Sequence, residues 1–177
     1  KDLAVEIAKS AGALLMQRPE QLDISTKSSD IDIVTQMDRA SERFIVDAIL
    51  KARPDDGIIG EEGADRASKS GYTWVIDPID GTVNYLYNMA GWSVSIAVKD
   101  QNGTVVGVVY SPTIDSLYTA TRGGGAFLNG SKISCNDPIE LNRALIATGF
   151  AYRSELRKEQ VVQFNELILK IRDYRRN

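Results

Sequence analysis

Apolar residues recur at the spacing of an α-helix in two stretches near the start of the chain. The first stretch predicts an amphipathic helix over residues 2–17 that ends before Pro19, and the second predicts a helix over residues 37–52. Thr35 and Asp38 suit the start of the second helix, because their side-chain oxygens can accept hydrogen bonds from N–H groups there. The apolar positions behind these predictions are Leu3, Ile7, Ala11, Leu14 and Leu15 in the first helix and Ala40, Phe44, Ala48 and Ile49 in the second.

From residue 92 onward the hydrophobic pattern changes to the two-residue alternation of a β-strand. Residues 92–98 alternate in this way, and Asn102-Gly103 then turns the chain back into a strand over residues 104–111. Another strand follows over residues 117–121, and Asn129-Gly130 marks a further hairpin. Consecutive strands joined by short turns predict an antiparallel meander.

Three further elements complete the predicted fold. Residues 72–76 are aromatic and β-branched, which favours a buried strand that ends at Asp77. Residues 144–150 predict another buried strand, and apolar positions over residues 161–171 predict a long helix near the C-terminus. Helices that flank a run of antiparallel strands predict an α+β layered sandwich rather than alternating βαβ units.

The composition is that of an ordinary folded domain, with 177 residues, 43% hydrophobic, 25% charged and a net charge of −3. This mild acidity gives no sign of a nucleic-acid surface, and no apolar run approaches the ~18 residues of a membrane span. Cys135 is the single cysteine, so an internal disulfide is excluded; we expect it to pack rather than react, and a cytoplasmic location is favoured. The chain has no histidine, which leaves carboxylates and metal-bound water to carry any chemistry.

The most informative chemistry lies in residues 77–82, where the predicted strand ends. Two aspartates lie three residues apart in this segment. Pro78 keeps Asp77 out of helical geometry, so the carboxylates of Asp77 and Asp80 can converge on one point. Hard cations such as Mg²⁺ bind carboxylates of this kind, and the carbonyl of Ile79 is a further candidate ligand.

Gly81 and Thr82 add a candidate phosphate site beside these aspartates. Gly81 allows a close backbone approach, and Thr82 opens a short segment whose unpaired N–H groups can receive an anion. Asp-Pro and Asp-Gly pairs are also ordinary turn formers, and two surface aspartates need no function. The order of strand, acids, glycine and threonine favours the metal and phosphate interpretation over that alternative.

Residues 74–85 resemble the signature of the inositol monophosphatase family, Trp-x-x-Asp-Pro-x-Asp-Gly-Thr-x-Asn-Phe/Tyr. The resemblance extends to residues 27–38 and 58–63 upstream and to residues 107–110 and 123–130 downstream. It implies the αβαβα sandwich of the sugar phosphatases, a Mg²⁺ cofactor, sensitivity to lithium and a homodimer.

The resemblance also implies roles for individual residues. The implied metal ligands are Glu61, Asp77, Ile79 and Asp80, the implied catalytic residues are Glu61, Thr82 and Asp38, and the implied substrate-binding residues are Lys27, Asp80, Gly81, Thr82 and Ala151. Asp38 would hydrogen-bond Thr82 and so help to activate water. Ala151 replaces a serine of the animal enzymes, which removes one expected hydrogen bond to substrate.

The family pattern continues past Asn177 with a further metal-binding aspartate, so we expect residues 1–177 to be the truncated N-terminal portion of a single phosphatase domain. The expected function is Mg²⁺-dependent hydrolysis of a small phosphate monoester, inositol 1-phosphate, by attack of a metal-activated water, and we expect this portion alone to be inactive. Histidinol phosphate, fructose bisphosphate and 3′-phosphonucleotides are alternative substrates within the superfamily. A noncatalytic regulatory or RNA-associated role is a separate alternative.

Overall fold

The residues that the computed structural model describes are 1–26, 33–136 and 138–176. They form two compact units. The first unit comprises Lys1–Ser25 and Val34–Ile133, and the second comprises the described residues within Thr26–Ile33 and Ser134–Asn177. The expectation that residues 1–177 are part of one phosphatase domain stays a prediction.

The first unit contains two long helices and one short one, α1 (Asp2–Met16), α2 (Gln36–Ala52) and α3 (Thr82–Leu86). α2 begins at a capping box, in which the N–H of Thr35 donates to Oδ2 of Asp38 at 2.8 Å. The two helices predicted from periodicity are therefore confirmed, and each differs from its predicted bounds by one residue.

Two short strands precede α2, and eight further strands form a mixed sheet. In chain order the strands are β1 (Ile24–Thr26), β2 (Ile33–Thr35), β3 (Gly57–Gly60), β4 (Asp65–Arg66), β5 (Thr73–Asp80), β6 (Ser93–Asp100), β7 (Gly103–Ser111), β8 (Ser116–Thr121), β9 (Gly125–Leu128) and β10 (Ser131–Ile133). The order across the sheet is β10-β9-β8-β7-β6-β5-β3-β4. Neighbouring strands are antiparallel except β3 and β5, which run parallel. The predicted meander is confirmed from β6 to β10.

The core of the first unit lies between the sheet and the two long helices. α1 lies against β6 and β7, and α2 lies against β5. Burying a large aliphatic side chain contributes about 1.5–3 kcal/mol, so this layer dominates the stability of the unit. The layered α+β fold is thereby confirmed. Its buried residues include Ile7, Ala11, Leu15, Ile45 and Ile49 from the helices and Trp74, Ile76, Val94, Ile96 and Val108 from the sheet.

The strand that carries the acidic motif is longer than predicted. β5 does not end at Asp77 but continues through Pro78 to Asp80. Asp77 pairs with Ser95 while Asp80 pairs with Ser93, so three steps along β5 oppose two steps along β6. This is a β-bulge, and a bulge accommodates proline, which has no N–H, because the ladder needs no donor at that position. The prediction that the strand ends at Asp77 is therefore wrong.

The second unit pairs two strands in parallel through a helix. β11 (Leu145–Thr148) pairs with β12 (Asp173–Arg176), and α4 (Ser154–Ile168) lies between them in the chain. Parallel strands need a crossover of a dozen or more residues, and α4 provides it. Phe164 of α4 packs edge-on against Tyr174, with the ring centroids 4.9 Å apart.

Predictions for the second unit are only partly correct. β11 is shorter than the predicted strand over residues 144–150, and its side chains alternate between exposed and half-buried, so the prediction of a buried strand is wrong. The predicted helix is present but ends at Ile168, which leaves Ile171 outside it. The sequence of β12, Asp-Tyr-Arg-Arg, has no apolar alternation, and this strand was not predicted. A helix and two short strands have little apolar surface to bury, which explains why side chains of β11 are exposed.

Two findings bear on the expectations from composition. Cys135 is exposed, so the expectation that it packs in a core is wrong. It lies in the irregular segment after β10, where no apolar layer covers it. Among the described helices, none combines the length and apolar character that crossing a bilayer requires.

Candidate metal and phosphate site

The two parallel strands of the sheet bring acidic residues to one edge. Gly60 pairs with Ile76 in the parallel register, and the N–H of Glu61 donates to the carbonyl of Ile76 at 3.1 Å. The carboxyl ends of parallel strands lie at the same edge, so Glu61 and Asp77 emerge side by side. They line a groove of about 320 Å³. The other lining residues of this groove are Ile59, Gly60, Val75, Ile76, Ser95 and Ala97.

Asp77 and Glu61 interact directly at this edge. Burial, a side-chain hydrogen bond with Glu61 and the negative charges of Glu61 and Asp80 together raise the pKa of Asp77 from its ordinary 3.8 to about 8. A hydrogen bond between two carboxyl groups requires a proton on one of them. Oδ1 of Asp77 is buried and has no hydrogen-bond partner. The pair is thus an acidic site in which one oxygen is left without a donor.

Asp80 and Ile79 lie on the bulge next to this pair. Asp80 is exposed, yet its charge acts on Asp77, which places the two carboxylates within electrostatic reach. A backbone hydrogen bond at Ile79 partly offsets the rise in the pKa of Asp77. The bulge of β5 therefore brings the two aspartates of the sequence motif together.

Thr82 is held by a fixed set of hydrogen bonds at the start of α3. Its Oγ1 lies 3.0 Å from Oδ1 of Asp38 and 3.1 Å from the carbonyl of Ile79. Oδ2 of Asp38 accepts from the N–H and the hydroxyl of Thr35, at 2.8 and 2.6 Å. Asp38 is 1% exposed, and both of its oxygens have donors. With its proton directed at Asp38 or Ile79, Thr82 keeps oxygen lone pairs that can accept a hydrogen bond from water.

Gly81 is required by the backbone between the bulge and α3. Its φ is +95°, a left-handed value that side-chain-bearing residues rarely adopt. A Cβ at this position would also lie 2.9 Å from the carbonyl oxygen of Gly91. Any other residue would move the turn that connects Asp80 to Thr82.

The donor set of this edge fits a hard divalent cation. No group of three or more acidic, histidine or cysteine side chains within residues 1–26, 33–136 and 138–176 is already gathered around one point. The carboxyl groups of Asp77 and Glu61 are hydrogen-bonded to each other. Carboxylate and carbonyl oxygens are the ligands that Mg²⁺ prefers, and the buried Oδ1 of Asp77 lacks the partner that a cation would supply. Glu61, Asp77, Asp80 and the carbonyl of Ile79 are the groups that would hold it.

The structure also reveals a buried acid that the sequence analysis did not single out. This acid contacts the beginning of β5, the end of the strand opposite to Asp80. Asp56 is 2% exposed and accepts from the indole N–H of Trp74 at 2.9 Å, from Ser70 at 2.6 Å and from Arg53 at 3.0 Å. Burial works to raise the pKa of Asp56, but these hydrogen bonds and the charge of Arg53 lower it overall. The tryptophan of the sequence motif therefore anchors the start of the strand that carries Asp77.

Lys27 and Ala151 are the remaining predicted site residues. Lys27 is outside the described residues. Ala151 belongs to the second unit, where its N–H donates to Oε1 of Gln160 at 2.8 Å and its carbonyl accepts from Nε of Arg157 at 3.0 Å. The substrate-binding roles of Lys27 and Ala151 stay predictions.

The α+β layered fold, with Glu61 and Asp77 side by side at the ends of two parallel strands, agrees with the fold that the motif's resemblance implies. The chain belongs to the inositol monophosphatase family, whose profile matches residues 1–175. It is 40% identical over 179 residues to Nus factor SuhB of Haemophilus influenzae, an alignment that covers 99% of this chain and 67% of that protein.

Solved structures show the same relationship. The extragenic suppressor protein suhB from Bartonella henselae superimposes with a TM-score of 0.92 at 31% identity, over 99% of this chain and 69% of that one. The IMPase from Thermotoga maritima superimposes with a TM-score of 0.88 at 31% identity, over 99% of this chain and 66% of that one. This chain spans about two thirds of the length of these relatives.

Proposed function

We propose that this protein is a Mg²⁺-dependent phosphomonoester hydrolase that acts on inositol 1-phosphate. The main support is structural: Asp77 is hydrogen-bonded to Glu61 at the ends of two parallel strands, and a buried oxygen of Asp77 has no hydrogen-bond partner. Acids packed together in this way are unfavourable when charged, and a divalent cation among them offsets the repulsion. Membership in the inositol monophosphatase family supports phosphate ester hydrolysis as the reaction class.

Each residue of the edge has a part in this proposal. Glu61, Asp77, Asp80 and the carbonyl of Ile79 would hold the cation. A bound Mg²⁺ supplies Lewis-acid stabilisation of phosphoryl oxygens and lowers the pKa of water. Thr82, oriented by Asp38, accepts a hydrogen bond from the attacking water and so directs its oxygen toward phosphorus.

Phosphate binding involves the backbone after the bulge. The N–H groups of Gly81 and Thr82 are proposed to donate to phosphate oxygens, where preorganised donors stabilise charge as it develops. Asp80 would also accept from a hydroxyl group of the substrate. Lys27 and Ala151 complete the proposed substrate contacts. We also propose that the whole protein is a homodimer and that it is located in the cytoplasm.

The first experiment measures phosphate release from myo-inositol 1-phosphate by the purified full-length protein with Mg²⁺, with EDTA and with added lithium. We expect release that needs Mg²⁺ and falls with lithium. Asp80→Asn should lower the rate by about 100-fold or more, because it removes one of the carboxylates proposed to bind the cation. Asp47→Asn removes an exposed carboxylate from α2 and serves as the matched control. Turnover retained by Asp80→Asn would contradict the proposed ligand set.

The same assay with other substrates tests the choice of alcohol. Histidinol phosphate, fructose bisphosphate and a 3′-phosphonucleotide are the alternatives, and the highest kcat/KM identifies the substrate class. Preference for one of these over inositol 1-phosphate would keep the phosphatase proposal and replace its substrate.

A second function is favoured by the name of the Haemophilus influenzae relative, Nus factor SuhB. It is a noncatalytic regulatory or RNA-associated role that uses the surface of the fold. Under this alternative no phosphate ester is hydrolysed, and binding of a protein or RNA partner is the same for the unsubstituted protein and Asp80→Asn. Partner binding by both proteins, with no release from any of the four esters, would support this role over the phosphatase.

A further inference from the structure

One face of α2 carries three buried polar residues that reach separate parts of the acidic edge. Asp38, Ser41 and Glu42 are spaced so that all three lie on the same side of the helix. Asp38 accepts from Thr82 at 3.0 Å, and Ser41 donates to the carbonyl of Pro78 at 3.4 Å. These two contacts fix the β5 side of the edge to α2, and Glu42 makes the contacts on the β3 side.

Glu42 holds the turn that follows β3. Its Oε2 accepts from the N–H of Glu62 at 2.8 Å, and its Oε1 accepts from the N–H of Ala64 at 3.0 Å. Glu42 is 5% exposed, so both oxygens of a buried carboxylate are used by the backbone of one turn. Charge-assisted hydrogen bonds of this kind are among the stronger ones in proteins. Glu61 lies at the beginning of that turn.

The position of Gly60 is steric evidence that the carboxylate of Glu42 packs against this turn. A Cβ built on Gly60 would lie 2.2 Å from Oε2 and 2.6 Å from Cδ of Glu42, far closer than real contacts allow. The backbone of Gly60 does not need a left-handed φ, so its lack of a side chain is explained by the carboxylate beside it. The N–H of Gly60 also donates to the carbonyl of Ala64 at 2.6 Å, which closes the turn.

We propose that Glu42 is a positioning residue that fixes Glu61 opposite Asp77. This inference rests on the proposed function, because it assigns Glu42 to the support of that cation site. The carboxylate of Glu42 holds the backbone of residues 62 and 64, and Glu61 is then placed by this turn and by its own N–H bond to Ile76. Without Glu42 two backbone N–H groups of the turn lose their acceptors, and the separation between Glu61 and Asp77 is no longer set.

The test compares Glu42→Ala and Glu42→Gln with the Asp47→Asn control. Mg²⁺ affinity is measured by isothermal titration calorimetry at a temperature where urea unfolding shows every variant to be folded. We expect Glu42→Ala to weaken Mg²⁺ binding by about 10- to 100-fold, as losses of residues that orient ligands do. Glu42→Gln keeps one acceptor oxygen, so we expect an intermediate affinity. Asp47→Asn should bind as the unsubstituted protein does.

Gly60→Ala disturbs the same contact from the other side. Its methyl group must displace the Glu42 carboxylate, so we expect a loss of Mg²⁺ affinity similar to that of Glu42→Ala. The double variant should lose little more than either single variant, because the two changes break one interaction. Additive losses would overturn the proposal, and so would a Glu42→Ala variant that is less stable but binds Mg²⁺ normally.

Binding and hydrolysis separate this inference from the proposed function. If the unsubstituted protein binds Mg²⁺ but hydrolyses none of the four esters, the phosphatase proposal fails while the binding data still decide the role of Glu42. If hydrolysis is Mg²⁺-dependent and Glu42→Ala leaves both the Mg²⁺ affinity and the Mg²⁺ concentration for half-maximal rate unchanged, the role of Glu42 is refuted and the phosphatase proposal stands.

Discussion

Replacing Asp77 by asparagine should make the metal-free protein more stable at alkaline pH. The pKa of Asp77 is raised in the folded chain, first by burial and then by Glu61 and Asp80, so its charged form is disfavoured by folding. Between its ordinary pKa and its folded pKa, the folded state therefore binds more protons than the unfolded state. The free energy of unfolding falls as the pH rises through this window, and asparagine removes the loss because it carries no charge.

The size of the effect follows from the two pKa values. The window runs from 3.8 to about 8, and each pKa unit corresponds to about 1.4 kcal/mol, which sets an upper bound of about 6 kcal/mol. Asp77 is only half-buried, and solvent screening reduces the effective loss to roughly 2–3 kcal/mol. We expect the free energy of unfolding of Asp77→Asn to exceed that of the unsubstituted protein by this amount at pH 8.5 in EDTA. Near pH 4 the two free energies of unfolding should be equal.

Urea unfolding followed by tryptophan fluorescence measures this difference, because Trp74 and Trp92 are both 4% exposed. Mg²⁺ should stabilise the unsubstituted protein more at pH 8.5 than at pH 5, since proton and cation compete for Asp77. Asp77→Asn should lose this Mg²⁺ effect, while Asp47→Asn should keep it. A free energy of unfolding that is flat from pH 5 to 8.5 in EDTA, or equal Mg²⁺ stabilisation of Asp77→Asn, would refute the reasoning.

Three further substitutions test the support of the site. Asp38→Asn keeps an acceptor for the helix cap but turns an N–H group toward Thr82; kcat should fall about 10- to 100-fold in steady-state assays, with an unchanged circular dichroism spectrum. Asp56→Asn breaks the buried network at Trp74 and should lower the free energy of unfolding in urea by about 2–4 kcal/mol, a contribution present above pH 3.8 and lost as the pH falls through the lower folded pKa. Gly81→Ala meets both a left-handed φ and a backbone clash, so unfolding in urea should show a loss of about 2 kcal/mol or more.

Local sequence patterns predicted individual helices and strands, because periodicity can be recognised without knowing which element packs or pairs with which. Period 3.6 identified α1 and α2, and alternation identified the strands of the meander. The parallel pairing of β3 with β5 was not predicted, because periodicity describes which face of a strand is buried and says nothing about its neighbour. That pairing is what brings Glu61 beside Asp77, and the sequence pointed to it only through the family resemblance.

The local geometry predicted for the acidic motif was wrong, because the strand does not end at Asp77. Asp77 and Asp80 converge, but they do so through a bulge inside β5 rather than through a turn after it. Proline is usually taken as the end of a strand, and only the pairing with Ser93 and Ser95 shows that the ladder resumes beyond Pro78. The signal for Glu42 was its place one turn after Asp38 on α2, yet a glutamate inside a helix normally faces solvent.

The hydrogen-bond donors around each carboxylate distinguish acids that maintain the fold from acids that are available to bind a cation. Asp38, Glu42 and Asp56 are buried, and in each of them both carboxylate oxygens accept hydrogen bonds from the protein. Asp77 instead has one buried oxygen without a donor, and its side chain is hydrogen-bonded to another acid. Neutralising a satisfied acid leaves donors unpaired and destabilises the protein, whereas neutralising Asp77 relieves repulsion. The sign of the stability change at pH 8.5 in EDTA therefore separates the two groups without an activity assay, and a loss of stability in Asp77→Asn would place Asp77 among the structural acids.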